Sequence, residues 1–440
     1  MDDFTSSPYP ARSGQQVTPH AARHAAMACM IALAVALGIG RFAFTPLLPL
    51  MLHGGALDIR HGGWLASFNY AGYFVGAVTC AALRIEPARM VRIGLAITAL
   101  LTLAMGVTHQ FWIWAVVRFV AGVVSAWTFV FVSQWGLRRL TELGAHGWSG
   151  VIYTGPGLGI VATGVLVSAA GSYGATAGWL GFGFMAAVLS AWIWRVFVVF
   201  PDVVVPGGVP NAAGVGSGAP SAGADAPTGT TSPTGTPAPA DAASRRSADP
   251  HRADAFWLVV LYGVAGFGYI ITATFLPVIA RHALPPGSLW PDLFWPMFGV
   301  ALMIGSLGAA RLPLHWDNRT LLAGCYVLQA VGVASGIVWP TAGGFALGSI
   351  LIGLPFTAIT LFAMREARCL RGNHAAGLMG YATAAYGVGQ IIGPLVAAPI
   401  AAHTGSFSPA LWLAAAALLV GALGLVAVAH INKTNYALAH

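Results

Sequence analysis

The chain has 440 residues, of which 57% are hydrophobic and only 8% are charged, and its mean hydropathy is +0.75. Soluble domains carry about 25% charged residues, so this composition excludes an ordinary soluble protein and indicates one that crosses a membrane several times. The net charge of +8 would suggest nucleic acid in a soluble chain, but an excess of Arg and Lys on one side of a membrane explains it better.

Twelve apolar segments have spanning length and fall into two groups of six. They cover approximately residues 25–52, 62–83, 90–108, 110–136, 147–169, 175–200, 255–281, 292–311, 319–339, 342–364, 375–401 and 408–430. Residues 201–253, between the groups, are rich in Gly, Pro, Ala, Ser and Thr and cannot bury enough apolar surface to fold. We predict an all-α membrane protein with a cytoplasmic tail (1–24), a six-helix bundle (25–200), a disordered cytoplasmic linker (201–253), a second six-helix bundle (254–432) and a cytoplasmic tail (433–440).

The distribution of Arg and Lys predicts the orientation of these segments. With both termini in the cytoplasm, two of the 21 basic residues, Arg60 and Arg281, lie outside, and Arg41 and Arg118 lie within the membrane. The other seventeen lie inside: Arg12, Arg23, Arg84, Arg89, Arg92, Arg138, Arg139, Arg195, Arg245, Arg246, Arg252, Arg311, Arg319, Arg365, Arg368, Arg371 and Lys433.

A motif of the first segment returns in the seventh. Gly38-Ile-Gly-Arg-Phe-Ala-Phe-Thr-Pro-Leu-Leu-Pro49 matches Gly266-Phe-Gly-Tyr-Ile-Ile-Thr-Ala-Thr-Phe-Leu-Pro277 at an offset of 228, with Arg41 opposite Tyr269. A duplicated bundle that keeps the cation in only one copy predicts a transporter with an asymmetric site near the midplane. Glycines and prolines of these and other segments are candidate hinge or gating residues: Gly38, Gly40, Pro46, Pro49, Gly155, Pro156, Pro277, Gly393 and Pro394.

Two arginines lie deep inside apolar segments, where charges are costly and usually face a bundle interior. Arg41 and Arg118 are both about 14–16 Å below the outer end of their helices, so they could together bind a carboxylate or phosphate. Two structural alternatives stay open. Arg118 could cap backbone carbonyls and tie the fourth helix to the first, and Arg41 could extend to the outer interface.

All thirteen Asp and Glu residues fall in termini, loops, the linker or helix ends. Proton relays and sites for cationic drugs usually contain buried carboxylates, so their absence favours an anionic or zwitterionic substrate. Further candidates for the substrate site are polar or aromatic side chains within segments, each of which could instead form only an interhelical hydrogen bond: Asn69, Tyr70, Tyr73, Tyr153, Thr154, Tyr269, Thr272, Thr274, Thr357, Thr360, Tyr381, Tyr386 and Gln390. The histidines show no metal-binding spacing, and no nucleotide- or cofactor-binding motif is found, so we expect no metal, no cofactor and no catalytic residues.

Two groups of six segments resemble the major facilitator superfamily, and Arg118-x-x-x-Gly122-x-x-x-Ala126 is similar to its fourth-helix motif. Gly155-Pro-Gly-Leu-Gly159 looks like its fifth-helix antiporter motif, although Ile160 stands where a further Gly is usual. The motif around Arg41, together with Asn69-Tyr-x-Gly-Tyr73, resembles YbfB/YjiJ-type bacterial transporters.

This resemblance implies a secondary transporter of the bacterial inner membrane that works by alternating access as a monomer. Its expected partners are a small-molecule substrate and the lipid bilayer, without nucleic acid, and a coupling proton or ion stays open. A transporter-like sensor or scaffold that binds a ligand without moving it is the alternative. A membrane enzyme would need a convergent nucleophile or metal set, which the sequence does not show.

Overall fold

The computed structural model describes residues 19–197, 252–309, 311–313, 315–372 and 375–438, so most of the predicted linker and of the first tail lies outside the described residues. The described residues form helices joined by short turns and contain no strand. The fifteen α-helices among them are α1 (Pro19–Leu33), α2 (Phe44–His53), α3 (Ile59–Thr79), α4 (Pro87–Val107), α5 (Phe111–Glu142), α6 (Ser149–Ile152), α7 (Gly155–Ala170), α8 (Gly174–Ile193), α9 (Arg252–Ala283), α10 (Trp290–Ala309), α11 (Asn318–Val338), α12 (Ala342–Gly353), α13 (Phe356–Arg371), α14 (Ala375–Thr404) and α15 (Ser408–Leu438).

Ten helical stretches of the described chain are long and apolar enough to cross a membrane, rather than the twelve expected from sequence. Two features account for the difference. The stretch Ser149–Ile193 counts once, yet the short 3₁₀ turn Gly171–Tyr173 divides it into α7 and α8. Helix α3 has 21 residues but does not qualify, because Asn69, its two tyrosines and its glycines keep its mean hydropathy low.

The first apolar segment is not one continuous α-helix. Helix α1 passes into the π-helical residues Ala34–Ile39, and the chain then turns through residues 40–43 before α2 begins. The sequence explains the break, since Gly38 and Gly40 weaken a helix and Pro46 has no N–H to donate to the carbonyl of Phe42. The amide of Thr45 donates to that carbonyl instead, at 3.2 Å.

The repeated motif adopts a different backbone in the second half of the chain. Helix α9 is unbroken from Arg252 to Ala283 although it contains Pro277, and α14 likewise continues through Pro394. The matching sequences therefore produce a broken helix in one copy and a continuous helix in the other. Bending at these prolines during transport stays a prediction.

Several of the predicted hinge glycines lie at close helix crossings. A Cβ on Gly38 would be 2.4 Å from the Cα of Gly159, one on Gly155 would be 2.3 Å from the carbonyl oxygen of Met30, and one on Gly393 would be 2.3 Å from Ile270. Small residues at such positions let membrane helices approach closely. Across the two halves of the chain, α3 packs against α14 and α7 packs against α10.

Substitution of Gly38 by Ala is expected to lower the stability of the folded bundle by about 1–3 kcal/mol, because its methyl group would overlap the backbone of Gly159. The measurement is the thermal midpoint of the purified protein in detergent. Gly181→Ala is the matched control, since nothing lies within 4 Å of a Cβ there. An equal midpoint for both variants would contradict a packing role for Gly38.

Candidate functional site

Arg118 stabilises the break in the first segment. Its side chain, on α5, is 2% exposed and donates from Nη1 to the carbonyl of Gly40 at 3.5 Å and from Nη2 to the carbonyl of Arg41 at 3.2 Å. Its guanidinium also lies over the ring of Phe44, 4.7 Å from the ring centroid. This is the geometry of the structural alternative, in which Arg118 caps backbone carbonyls and ties two helices together.

Arg41 lies at the break itself and reaches across to the other half of the molecule. Its Nη2 donates a hydrogen bond of 2.9 Å to Oε1 of Gln390, on α14. The guanidinium carbon is 4.0 Å from the ring centroid of Tyr73 and 5.1 Å from that of Tyr70, both on α3. Cations interact favourably with aromatic faces at such distances. With 5% of its surface exposed, Arg41 does not extend to the outer interface.

Gln390 connects Arg41 to a group of stacked tyrosines. Its Nε2 donates to the hydroxyl of Tyr269, the residue that matches Arg41 in the repeat. The ring of Tyr269 stacks on Tyr386 with centroids 5.8 Å apart, and Tyr386 stacks on Tyr262 at 4.6 Å. Glutamine, tyrosine and arginine side chains from both halves thus meet at one place.

Further hydrogen bonds join the two halves close to Arg41. The hydroxyl groups of Tyr70 and Thr274 are 2.9 Å apart, and Ser67 donates to the carbonyl of Ile391 at 2.8 Å. Thr45 donates to the carbonyl of Ala273 at 3.0 Å. Thr45 and Ala273 are 228 positions apart, which is the offset of the repeated motif. Equivalent positions of the two copies therefore touch each other.

The charges of Arg41 and Arg118 have no acidic partner among the described residues. Glu366, the buried carboxylate of the described chain, lies on α13 and pairs instead with Arg319, whose Nε is 2.6 Å from its Oε1. The Nε atoms of Arg41 and Arg118 and the Oδ1 of Asn69 are buried and accept or donate no hydrogen bond. The site thus combines two buried positive charges with unused polar atoms, a combination that normally requires a compensating group.

The structure gathers most but not all of the candidate site residues. Arg41, Tyr70, Tyr269 and Gln390 meet as described, and Asn69 lies beside them with its Nδ2 donating to the carbonyl of Arg118 at 2.9 Å. Thr272 does not join them. It lines a small cavity of about 10 Å³ between α9, α11 and α12, together with residues such as Val333 and Ile352.

Three residues of the site are absent from the sequence-based candidates: Phe42, Phe44 and Thr45. Phe42 and Phe44 contact the two guanidinium groups, and Thr45 joins the halves. All three lie inside the repeated motif, and their position in this motif was the feature of the sequence that could have indicated a place in the site. Their apolar or small side chains gave no reason to separate them from ordinary packing residues.

Replacement of Arg118 by Met is expected to destabilise the protein, because the carbonyls of Gly40 and Arg41 would lose their donor inside the membrane. Each buried carbonyl without a partner costs about 1–3 kcal/mol. The measurement is the thermal midpoint in detergent, with the exposed Arg60→Met as the control. A midpoint equal to that of the control would show that Arg118 does not support the break.

A family model described as "Uncharacterised MFS-type transporter YbfB" matches residues 33–206 and 230–426. Among solved structures, the nucleoside transporter NupG in its D323A mutant form is similar, with a TM-score of 0.66 and 14% identity over 92% of this chain and 99% of that chain. A second NupG structure gives a TM-score of 0.62 and 13% identity, over 92% of this chain and 98% of the other. No curated protein sequence matches the chain. Since the family model covers most of the sequence, the chain belongs to this family of transporters within the major facilitator superfamily.

Proposed function

We propose that this protein is a secondary transporter that moves a small organic anion across the bacterial inner membrane. The observation that carries the proposal is the pair of buried arginines, Arg41 and Arg118, which have no acidic partner among the described residues. The family supports a transporter of small molecules. The nucleoside specificity in the name of the structural neighbours does not transfer, because at 13–14% identity only the fold is shared.

Charge balance favours an anionic group on the substrate. Removing a guanidinium from water costs several kcal/mol unless an opposite charge or good hydrogen bonds replace the water. Arg118 finds two backbone carbonyls, whereas Arg41 finds one amide oxygen and aromatic faces. Arg41 therefore keeps a donor for a ligand, and a carboxylate matches a guanidinium because it can accept two parallel hydrogen bonds, as a phosphate also can.

The proposed mechanism is alternating access between two six-helix repeats with twelve membrane crossings. Here α1 and α2 together form one crossing, as do α6 with α7 and α12 with α13. The contact between the equivalent residues Thr45 and Ala273 supports the two-repeat arrangement. The bonds of Thr45 and Tyr70 to the other half lie on the side of Arg41 nearer α2 and the start of α3. With both termini in the cytoplasm, this side is the outer one, so the halves are closed towards the outside.

The orientation can be tested with single cysteines in a background where Cys29, Cys80, Cys325 and Cys369 are replaced by Ser. A cysteine at Ala56, in the exposed turn before α3, is expected to react in intact cells with a membrane-impermeant maleimide. A cysteine at Ile85, in the turn between α3 and α4, is expected to react only after the cells are opened. The reverse pattern would overturn the orientation.

Arg41→Ala is expected to fold and insert but to lose anion binding, and Arg41→Lys is expected to bind more weakly because it cannot form two parallel bonds. The assay first screens lactate, succinate, benzoate, methanesulfonate and phosphate for an increase in the thermal midpoint of the wild type. The affinity of the stabilising anion is then measured calorimetrically for each variant. Binding by Arg41→Ala at wild-type strength, or stabilisation of the wild type by none of these anions, would contradict the proposal.

A further inference from the structure

Of the two hydrogen-bond donors on one edge of the Arg41 guanidinium, one has a partner and the other has none. In a guanidinium group, Nε and Nη2 point their hydrogens to the same side, and a carboxylate binds this edge with one oxygen on each donor. In Arg41, Nη2 is bonded to the amide oxygen of Gln390 at 2.9 Å, while the neighbouring Nε is buried and has no partner. Of the two nitrogens of this edge, one thus donates to Gln390 and the other donates to no group of the described chain.

Gln390 is held in this position by the second half of the molecule. It is 4% exposed, and its amide nitrogen donates to the hydroxyl of Tyr269, whose ring is fixed by stacking on Tyr386. The amide oxygen is therefore directed at Arg41, and this bond joins α14 to the break between α1 and α2.

We propose that Gln390 is an internal substitute for the substrate: its amide oxygen occupies one of the two positions that the carboxylate oxygens of the substrate take on Arg41. This inference rests on the proposed function, since it requires that an anion binds Arg41. The incoming carboxylate displaces the amide and bonds both Nε and Nη2. The ligand class is a carboxylate, and methanesulfonate and phosphate serve as comparisons in the test.

Displacement of Gln390 couples binding to movement of the halves. The Arg41–Gln390 bond holds the first half to the second near the centre of the molecule, and the carboxylate removes it by competing for the same donor. A ligand shifts a conformational equilibrium only by binding one state better than the other, and this competition provides such a difference. Gln390 is thus a positioning residue. It influences how tightly Arg41 binds the carboxylate and whether that binding separates the two halves.

Three variants test the competition. Gln390→Glu places a carboxylate on Arg41 permanently, so the protein without added anion is expected to have a higher thermal midpoint at neutral pH and at least tenfold weaker binding of the probe. Gln390→Ala leaves the edge open, and about tenfold tighter binding is expected, as for the loss of a competing hydrogen bond to a charged group. Tyr269→Phe removes the group that holds the amide and is expected to tighten binding to a smaller extent.

Gln329→Ala is the matched control. Gln329 is also a fully buried glutamine, but it bonds to the carbonyl of Ile352 within the second half, away from Arg41. The probe is whichever of lactate, succinate and benzoate stabilises the wild type, with methanesulfonate and phosphate measured beside it.

A spin-label pair at His53 and His282, exposed near the ends of α2 and α9, reports the distance between the halves. The probe is expected to lengthen this distance in the wild type, and Gln390→Glu is expected to abolish that response.

The outcomes separate this inference from the proposed function. If an anion binds the wild type through Arg41 but Gln390→Ala and Tyr269→Phe bind it no better than Gln329→Ala, the competition is absent and the proposed function still stands. If no anion binds the wild type, the proposed transport of anions fails and this inference fails with it, because no ligand then competes with Gln390. An unchanged or lowered midpoint in a folded Gln390→Glu overturns the inference. If that variant does not fold, Gln390→Ala and Tyr269→Phe decide it.

Discussion

The arrangement of the site depends on one requirement: a carbonyl inside a membrane must find a hydrogen-bond donor. The break at residues 40–43 directs the carbonyls of Gly40 and Arg41 away from helical partners, and Arg118 supplies the donors. Because Arg118 donates a hydrogen bond to the backbone carbonyl of Arg41, it also helps to fix the position of the Arg41 backbone, from which the side chain extends. A residue on α5 thus determines which group of the other half Arg41 can reach.

The two arginines consequently make different contacts although both are buried and carry the same charge. Arg118 uses its terminal nitrogens on the backbone of its own half, where they maintain the break. Arg41 uses one terminal nitrogen on a side chain of the other half and keeps Nε unused. The first arrangement resembles a helix cap and is stable without a ligand, whereas the second is satisfied fully only by a group with two acceptors. Their like charges in one apolar site add to the demand for an anion.

Hydropathy was sufficient to predict the helical membrane class, and the motifs around Arg41 and Arg118 were sufficient to predict the family. The prediction counted α3 as one of twelve spanning segments, although this helix is not among the ten stretches that are apolar enough by length and composition to cross a membrane. It also placed Thr272 beside Tyr269, three residues away on the same helix. Every residue of α9 from Gly268 to Ala280 is buried, so burial could not show which face meets Arg41 and which meets α11.

The asymmetry of the repeat explains why a glutamine stands at the centre of the site. Arg41 and Tyr269 occupy equivalent positions in the two copies of the motif, and both bond to Gln390. Arg41 can only donate, so it requires an acceptor, and the tyrosine hydroxyl accepts from a donor. An amide offers one of each, so Gln390 accepts from Arg41 and donates to Tyr269 at the same time. An apolar side chain at this position would leave both the guanidinium and the hydroxyl without that partner.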